Sequence, residues 1–208
     1  DRGLVYQNPF VYWFNHFSEA SYKGPQYPIH EGVVVVGGGL ASIDVVKILQ
    51  VEVVRRRLAE KHGIQVAMLD LEKKGIPKIL AEHGLTYEKL GVKGCTLYYR
   101  RRVQDMPLAE YADDADEASK EKTHHVRAKI LANAQEKFLF EFVDRSLPTG
   151  AIIEGDDRLV GLRFIRTEIQ GRKVVELPGT EYEVRSPMVI SSIGSIPMQI
   201  PGLAMKGE

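Results

Sequence analysis

The spacing of apolar positions along the chain begins with a dense aromatic stretch. Eight of the 17 aromatic residues, Tyr6, Phe10, Tyr12, Trp13, Phe14, Phe17, Tyr22 and Tyr27, fall within the first 30 positions. Asn8-Pro9 has the form of an N-cap followed by a first-turn proline, which predicts a short aromatic helix to about Ala20. Gly24-Pro25 and Tyr27-Pro28 then predict an extended linker. Val33-Val34-Val35-Val36 is a β-branched run bounded by glycines, the pattern of a strand buried on both faces. A glycine turn follows, and after it a helix through Ile43, Val46, Ile48 and Leu49.

From position 51 to 94 the pattern stays helical and polar on its outer faces, cut into short pieces by Gly63, Gly75, Gly84, Gly91 and Gly94. Residues 95–99 form the next strand, and an acidic helical stretch with Asp113, Asp114, Asp116 and Glu117 comes after it. Residues 138–142 alternate Phe and Leu with a single Glu and have strand composition. Three strands at 159–169, 174–177 and 182–184 follow, separated by Gln170-Gly171-Arg172 and Pro178-Gly179. Strands so close in sequence must pair as antiparallel hairpins. Residues 188–193 are a last buried strand, ending at Gly194.

The turn itself, Gly37-Gly38-Gly39-Leu40-Ala41-Ser42, has the G-x-G-x-x-small spacing of a dinucleotide site. The first glycine makes the tight turn out of the strand and the second lets the backbone approach a pyrophosphate. The small Ser42 allows close packing of helix on strand. Phosphates would lie against unpaired N–H groups at the positive end of the helix. A glycine hexad alone is weak evidence, and a ligand-free strand–helix connection is the competing reading. The buried strand before it and the apolar helix after it supply the context that the motif needs. The expected fold class is therefore α/β: a Rossmann-like three-layer domain with a central parallel sheet, an antiparallel β-meander and a helical insertion at 51–94.

The end of the second strand bears on which nucleotide. A carboxylate there would serve the ribose 2′-hydroxyl of NAD, whereas arginine suits a 2′-phosphate. The strand ends Tyr99-Arg100-Arg101-Arg102, with no acid before Asp105. Bidentate arginine–phosphate contacts favour NADP(H), and a solvated charge run is the alternative. Arg100 comes about 60 positions after Gly39 where the fingerprint expects about 20, so residues 51–94 must be an insertion that leaves the sheet intact.

Two blocks carry a family resemblance. Val35-Val36-Gly37-Gly38-Gly39 through Asp44, and Leu97-Tyr98-Tyr99-Arg100-Arg101 through Met106-Pro107, resemble the NADPH-binding domain of the glutamate synthase small subunit. They are also similar to adrenodoxin-type ferredoxin–NADP reductases. Val189 to Gly194 looks like that family's last strand, and Asp157-Arg158-Leu159-Val160-Gly161 like the start of its meander. The resemblance implies that Gly37, Gly38, Gly39, Leu40, Ala41 and Ser42 bind the pyrophosphate, that Arg100 and Arg101 hold the 2′-phosphate, and that Gly194 borders the site. Leu40 stands where the family commonly has asparagine. The resemblance further implies hydride transfer from NADPH to an FAD carried by another domain of the same parent chain, with an electron-acceptor protein as a further partner.

Composition narrows this rather than changes it. Lysine plus arginine and aspartate plus glutamate both number 28, a balance that points to neither nucleic acid nor a membrane surface. Cys95 is the one cysteine, which excludes an intrachain disulfide or a thiolate zinc cage and fits a reducing compartment. With no span-length apolar run and no signal pattern, the cytoplasm is expected. Asp1 in place of a start methionine and the lack of a second fingerprint lead to the expectation of a fragment that binds cofactor without turning over. It divides into a connecting segment at 1–31 from an absent FAD domain, an NADP-binding domain at 32–197 and a return segment at 198–208. The aromatic cluster either folds back on this domain or faces the absent one. His124-His125 lacks a third ligand for a metal, and Ser42, Ser191 and Ser192 lack histidine–acid partners for hydrolysis. A nucleotide-sensing or interaction module, with the insertion as its interface, is the alternative function.

Overall fold

A computed structural model describes residues 3–171, 173–194 and 202. Five parallel strands form the central sheet in the order β1-β9-β2-β3-β4. These are β1 (Leu4–Tyr6), β2 (Val34–Gly37), β3 (Thr96–Tyr98), β4 (Glu141–Val143) and β9 (Val189–Ser192). A second, antiparallel sheet comprises β5 (Ser146–Glu154), β6 (Arg158–Gln170), β7 (Lys173–Glu176) and β8 (Tyr182–Arg185). Helices α1 (Gln7–His16), α2 (Leu40–His62), α3 (Met68–Lys74), α4 (Ile76–Glu82), α5 (Tyr87–Leu90) and α6 (Glu117–Phe138) complete the domain.

The continuous valine run is explained by what covers each face. Val33 and Val35 point into the helical layer with Val45, Leu49 and Leu97. Val34 and Val36 point the other way, onto Leu159 and Phe164 of the meander. Alternate side chains of one strand thus enter two different cores, so β2 has no polar face to offer. On the meander side Tyr98, Phe164 and Tyr182 stack in series, with ring centroids 4.4 and 5.6 Å apart. The result is the expected three-layer Rossmann-like α/β fold.

Several boundaries differ from the sequence reading. α2 does not stop near Leu49 but runs 23 residues to His62. Val51, Val53, Val54 and Leu58 are buried, so the apolar face that packs on the sheet simply continues. It ends at Gly63, in the left-handed region at φ 65°, whose N–H bonds Ala59 O. The helical insertion therefore begins after α2 rather than at Val51. Asn8 is not an N-cap: α1 starts at Gln7, with Tyr6 in the N-cap position and no side-chain bond there, and ends at His16 rather than near Ala20. Phe138 closes α6 instead of opening a strand, because Leu139 turns left-handed at φ 58° and the strand begins only at Glu141. In the acidic stretch, Asp116 is the cap that accepts the Ser119 N–H at 2.8 Å, and Asp113 and Asp114 precede the helix.

The aromatic cluster folds back on the domain. Phe10 and Trp13 are buried in the helical core, with Phe14, Tyr22 and Tyr27 packed against it. The short apolar segment before them forms β1, an edge strand paired in parallel with β9. The insertion is fastened by Gln50, fully buried in α2, whose amide donates to Leu139 O at 2.6 Å and to the Tyr87 hydroxyl at 3.2 Å. Among the described residues no helix is long and apolar enough to cross a membrane. The segment 198–208, read as a return toward another domain, lies outside the described residues except for Gly202.

Because Phe10 is fully buried, Phe10→Ala is expected to cost about 3–5 kcal/mol in urea unfolding. A loss below about 1 kcal/mol would place α1 outside the cooperative core.

Candidate functional site

β2 pairs with β3 on one side and with β9 on the other. Its carboxyl end is thus the switch point of the sheet, where a crevice must open between diverging connections. A cleft of about 380 Å3 lies there. Its walls come from four strand ends: Gln7 after β1, Ser192 to Gly194 at the end of β9, the whole of 37–42, and Tyr98 to Arg100 at the end of β3. Pro107, Leu147 and Pro148 close the far side.

The three glycines differ in what surrounds them. A Cβ on Gly37 would stand 2.3 Å from both Ser192 O and Ser42 Oγ, so the first glycine is demanded by the protein itself. A Cβ on Gly38 would stand 2.3 Å from the ring of Tyr99. That ring is held by its hydroxyl, which donates to Asp105 O at 2.9 Å. A Cβ on Gly39 would meet only Pro107 Cγ at 3.9 Å. Gly39 alone presents bare backbone to open space, as an approach by a ligand requires.

Gly39 is also the N-cap of α2, and among the described residues no side chain caps it and no acid occupies the first turn. A 23-residue helix thus presents its positive end to the cleft without an internal counter-charge. The cleft and the helix start together form a cradle that fits a pyrophosphate.

Opposite the glycine turn, β3 ends in the three arginines, and the structure separates them. Arg102 is clamped by Asp105, with Nε and one terminal nitrogen 2.9 and 3.0 Å from the two carboxylate oxygens. Burial works to raise the Asp105 carboxyl, but the Arg102 pair outweighs it and holds the group below its ordinary range. Arg100 is exposed and lines the cleft, while Arg101 is half-buried and does not. The backbone carrying both is fixed by the second sheet and the link leading into it: Thr167 Oγ1 of β6 donates to Arg100 O at 2.8 Å, and Arg145 N, just before β5, to Arg101 O at 3.1 Å. The meander therefore positions the arginine strand end as well as covering the sheet.

Of the residues anticipated from sequence, Gly37 to Ser42, Arg100 and Gly194 share the cleft. Ser42 is fully buried beneath the turn. Sequence reasoning missed Gln7, Leu147 and Pro148. Gln7 follows a three-residue strand too short to read, and Pro148 and Gly150 disguise β5, whose pairing shifts register between them. Cys95 is buried, which pushes its thiol up and suits a core role. Among the described residues no group of three or more His, Cys, Asp or Glu side chains could hold a metal.

No family model and no curated protein matches the chain. Its fold is similar to that of FprA. A point mutant of FprA from Mycobacterium tuberculosis has a TM-score of 0.56 at 17% identity, over 98% of this chain and 47% of that one. FprA from the same organism in complex with NADPH gives 0.55 at 18% identity, over the same shares of 98% and 47%. At this identity the likeness is one of fold, and the chain spans about half the length of the structures it matches.

Gly37→Ala is expected to lower the unfolding free energy by more than about 2 kcal/mol, from backbone displacement. Gly39→Ala, at the N-cap of α2, should cost less, about 0.5–1 kcal/mol; equal effects in thermal melts would contradict the geometry. Burial pushes the phenol of Tyr98 up from 10.0 to about 12, and that of Tyr87 likewise to about 12. The unfolded chain gives up these protons first, so the stability of the neutral folded rings is intact below pH 10 and is lost as pH rises through 12. Urea unfolding across this range should show that decline, and Tyr98→Phe should reduce it.

Proposed function

We propose that this chain is the NADP(H)-binding domain of a flavin-dependent oxidoreductase. The observation that carries the reading is the cleft at the switch point, where bare Gly39, the uncapped start of α2 and Arg100 face one space. Backbone N–H groups of Leu40 and Ala41 bind the pyrophosphate, the Ser42 N–H being taken by Gly39 O at 3.0 Å, and Arg100 holds the 2′-phosphate at the end of β3, with Arg101 beside it outside the cleft. Leu40, 55% exposed at the lip, and Ile193, 66% exposed, contribute apolar contact in place of a polar side chain. NADPH, when bound, supplies a hydride, and the receiving group in this reading is FAD carried by another domain of the same parent chain. The protein's part is to bind and orient the nucleotide beside Gln7, Ser192 and Gly194.

The fold likeness to FprA supports a reductase of that kind as the parent. A separate electron-acceptor protein is the corresponding partner, and the cytoplasm the corresponding compartment.

Titration calorimetry with NADPH and NADH tests the reading. The chain is expected to prefer NADPH, and the pair Arg100→Ala and Arg101→Ala to lose about tenfold to a hundredfold in NADPH affinity with NADH unchanged. Equal affinities for the two nucleotides, or an unaltered preference in the double variant, would overturn it.

A further inference from the structure

The carboxyl ends of β1, β9 and β2 meet beside the glycine turn through two hydroxyls and one carboxamide. The Ser192 hydroxyl donates to Gln7 Oε1, and Ser192 Oγ lies 2.9 Å from Ser42 Oγ. The carbonyl oxygen of Gln7 can only accept, and its amide nitrogen donates to Asn8 Oδ1 at 3.2 Å. Ser192 thus gives its one proton to Gln7, so between the two hydroxyls only Ser42 can donate. The single Ser42 proton is shared between Ser192 Oγ and the Ser192 carbonyl oxygen at 3.2 Å, both on β9.

Ser42 is fully buried and Ser192 is 5% exposed. In such surroundings, leaving one of these bonds unmade costs more than making it contributes. Ser42 Oγ fills the space that a Cβ on Gly37 would take. The chain of hydroxyls thus runs directly behind the turn.

We propose that Gln7 is a positioning residue for the nucleotide cleft: through Ser192 and Ser42 it fixes the glycine turn and the first turn of α2 against the ends of β1 and β9. The inference rests on the nucleotide-binding reading of the cleft and extends the binding machinery beyond the fingerprint. The segment before β2, which the sequence reading places outside the nucleotide-binding domain, becomes part of it.

The experiment measures NADP+ and NAD+ affinities of the 208-residue chain, unsubstituted and as Gln7→Met, Ser192→Ala, the double variant and Gln7→Glu. Gln7→Met is expected to weaken both nucleotides about tenfold and keep their ratio, because the turn seats the part they share. The double variant should be no weaker than the worse single one, since both cut the same chain. At pH 7.5 the carboxylate of Gln7→Glu should repel the phosphates. At pH 4, below the ordinary glutamate value of about 4.3, its mostly protonated form replaces the amide, and its deficit relative to the unsubstituted chain should shrink. The unmade bonds should move the urea midpoint of Gln7→Met and Ser192→Ala downward, with every variant still folded under the binding conditions. If the unsubstituted chain binds neither nucleotide, the nucleotide reading itself falls, and this inference with it. If it binds but Gln7→Met binds equally well, or the two single losses multiply, only the role of Gln7 is overturned. Should Gln7→Met fail to fold, Ser192→Ala and the pH profile of Gln7→Glu decide the matter: an unchanged affinity in the first, or a constant deficit in the second, overturns the role.

Discussion

At Gly37 the backbone leaves β2 with no space for even a methyl group. Ser192 O and Ser42 Oγ each stand 2.3 Å from where a Cβ would be. That contact fixes the separation of β9, β2 and α2 at one point, and much of the domain holds it there. Both faces of β2 are covered, by the helical core and by the meander, so the strand has no freedom to slide or tilt. The register of β2 with β9 runs from Val34 opposite Val189 to Gly37 opposite Ser192. Slipping it by one residue would exchange the two apolar faces and place Gly37 against the wrong neighbour.

Charge is distributed to the same end. The chain has no net charge, and several of its cations are locally balanced. Arg55 pairs with Glu52, Arg57 with Glu31 and Arg102 with Asp105, while Arg56 donates to Ile29 O at 2.9 Å. At the cleft the balance is withheld: the start of α2 has no acid in its first turn, and Arg100 faces the same space. A local positive field inside a neutral molecule draws an anion to one place without making the whole surface sticky.

The parts legible in the sequence were those with a short-range cause. A run of β-branched residues between glycines allows little but a buried strand, and glycine spacing followed by an apolar helix allows little but a tight turn. The hairpins between 158 and 185 were readable because their turns are short. What misled was local chemistry overruled by packing. Asn8-Pro9 looks like a helix start, yet α1 begins two residues earlier, set by the end of β1. Residues 51–62 look like a polar excursion, yet Val51, Val54 and Leu58 bury against the sheet and carry α2 onward. β5 was hidden by Pro148 and Gly150, which usually punctuate turns but here sit at an irregularity in a long pairing.

The sequence by itself determined the fold class and the place of the turn. These depend on periodicity and on the conformational range of glycine, which neighbouring positions suffice to express. Only the tertiary structure decided which arginine reaches the cleft, which glycine is open to a ligand, and that Gln7 stands behind the turn. Each of those depends on contacts between residues as much as 185 positions apart, and no local pattern encodes where two distant strand ends meet.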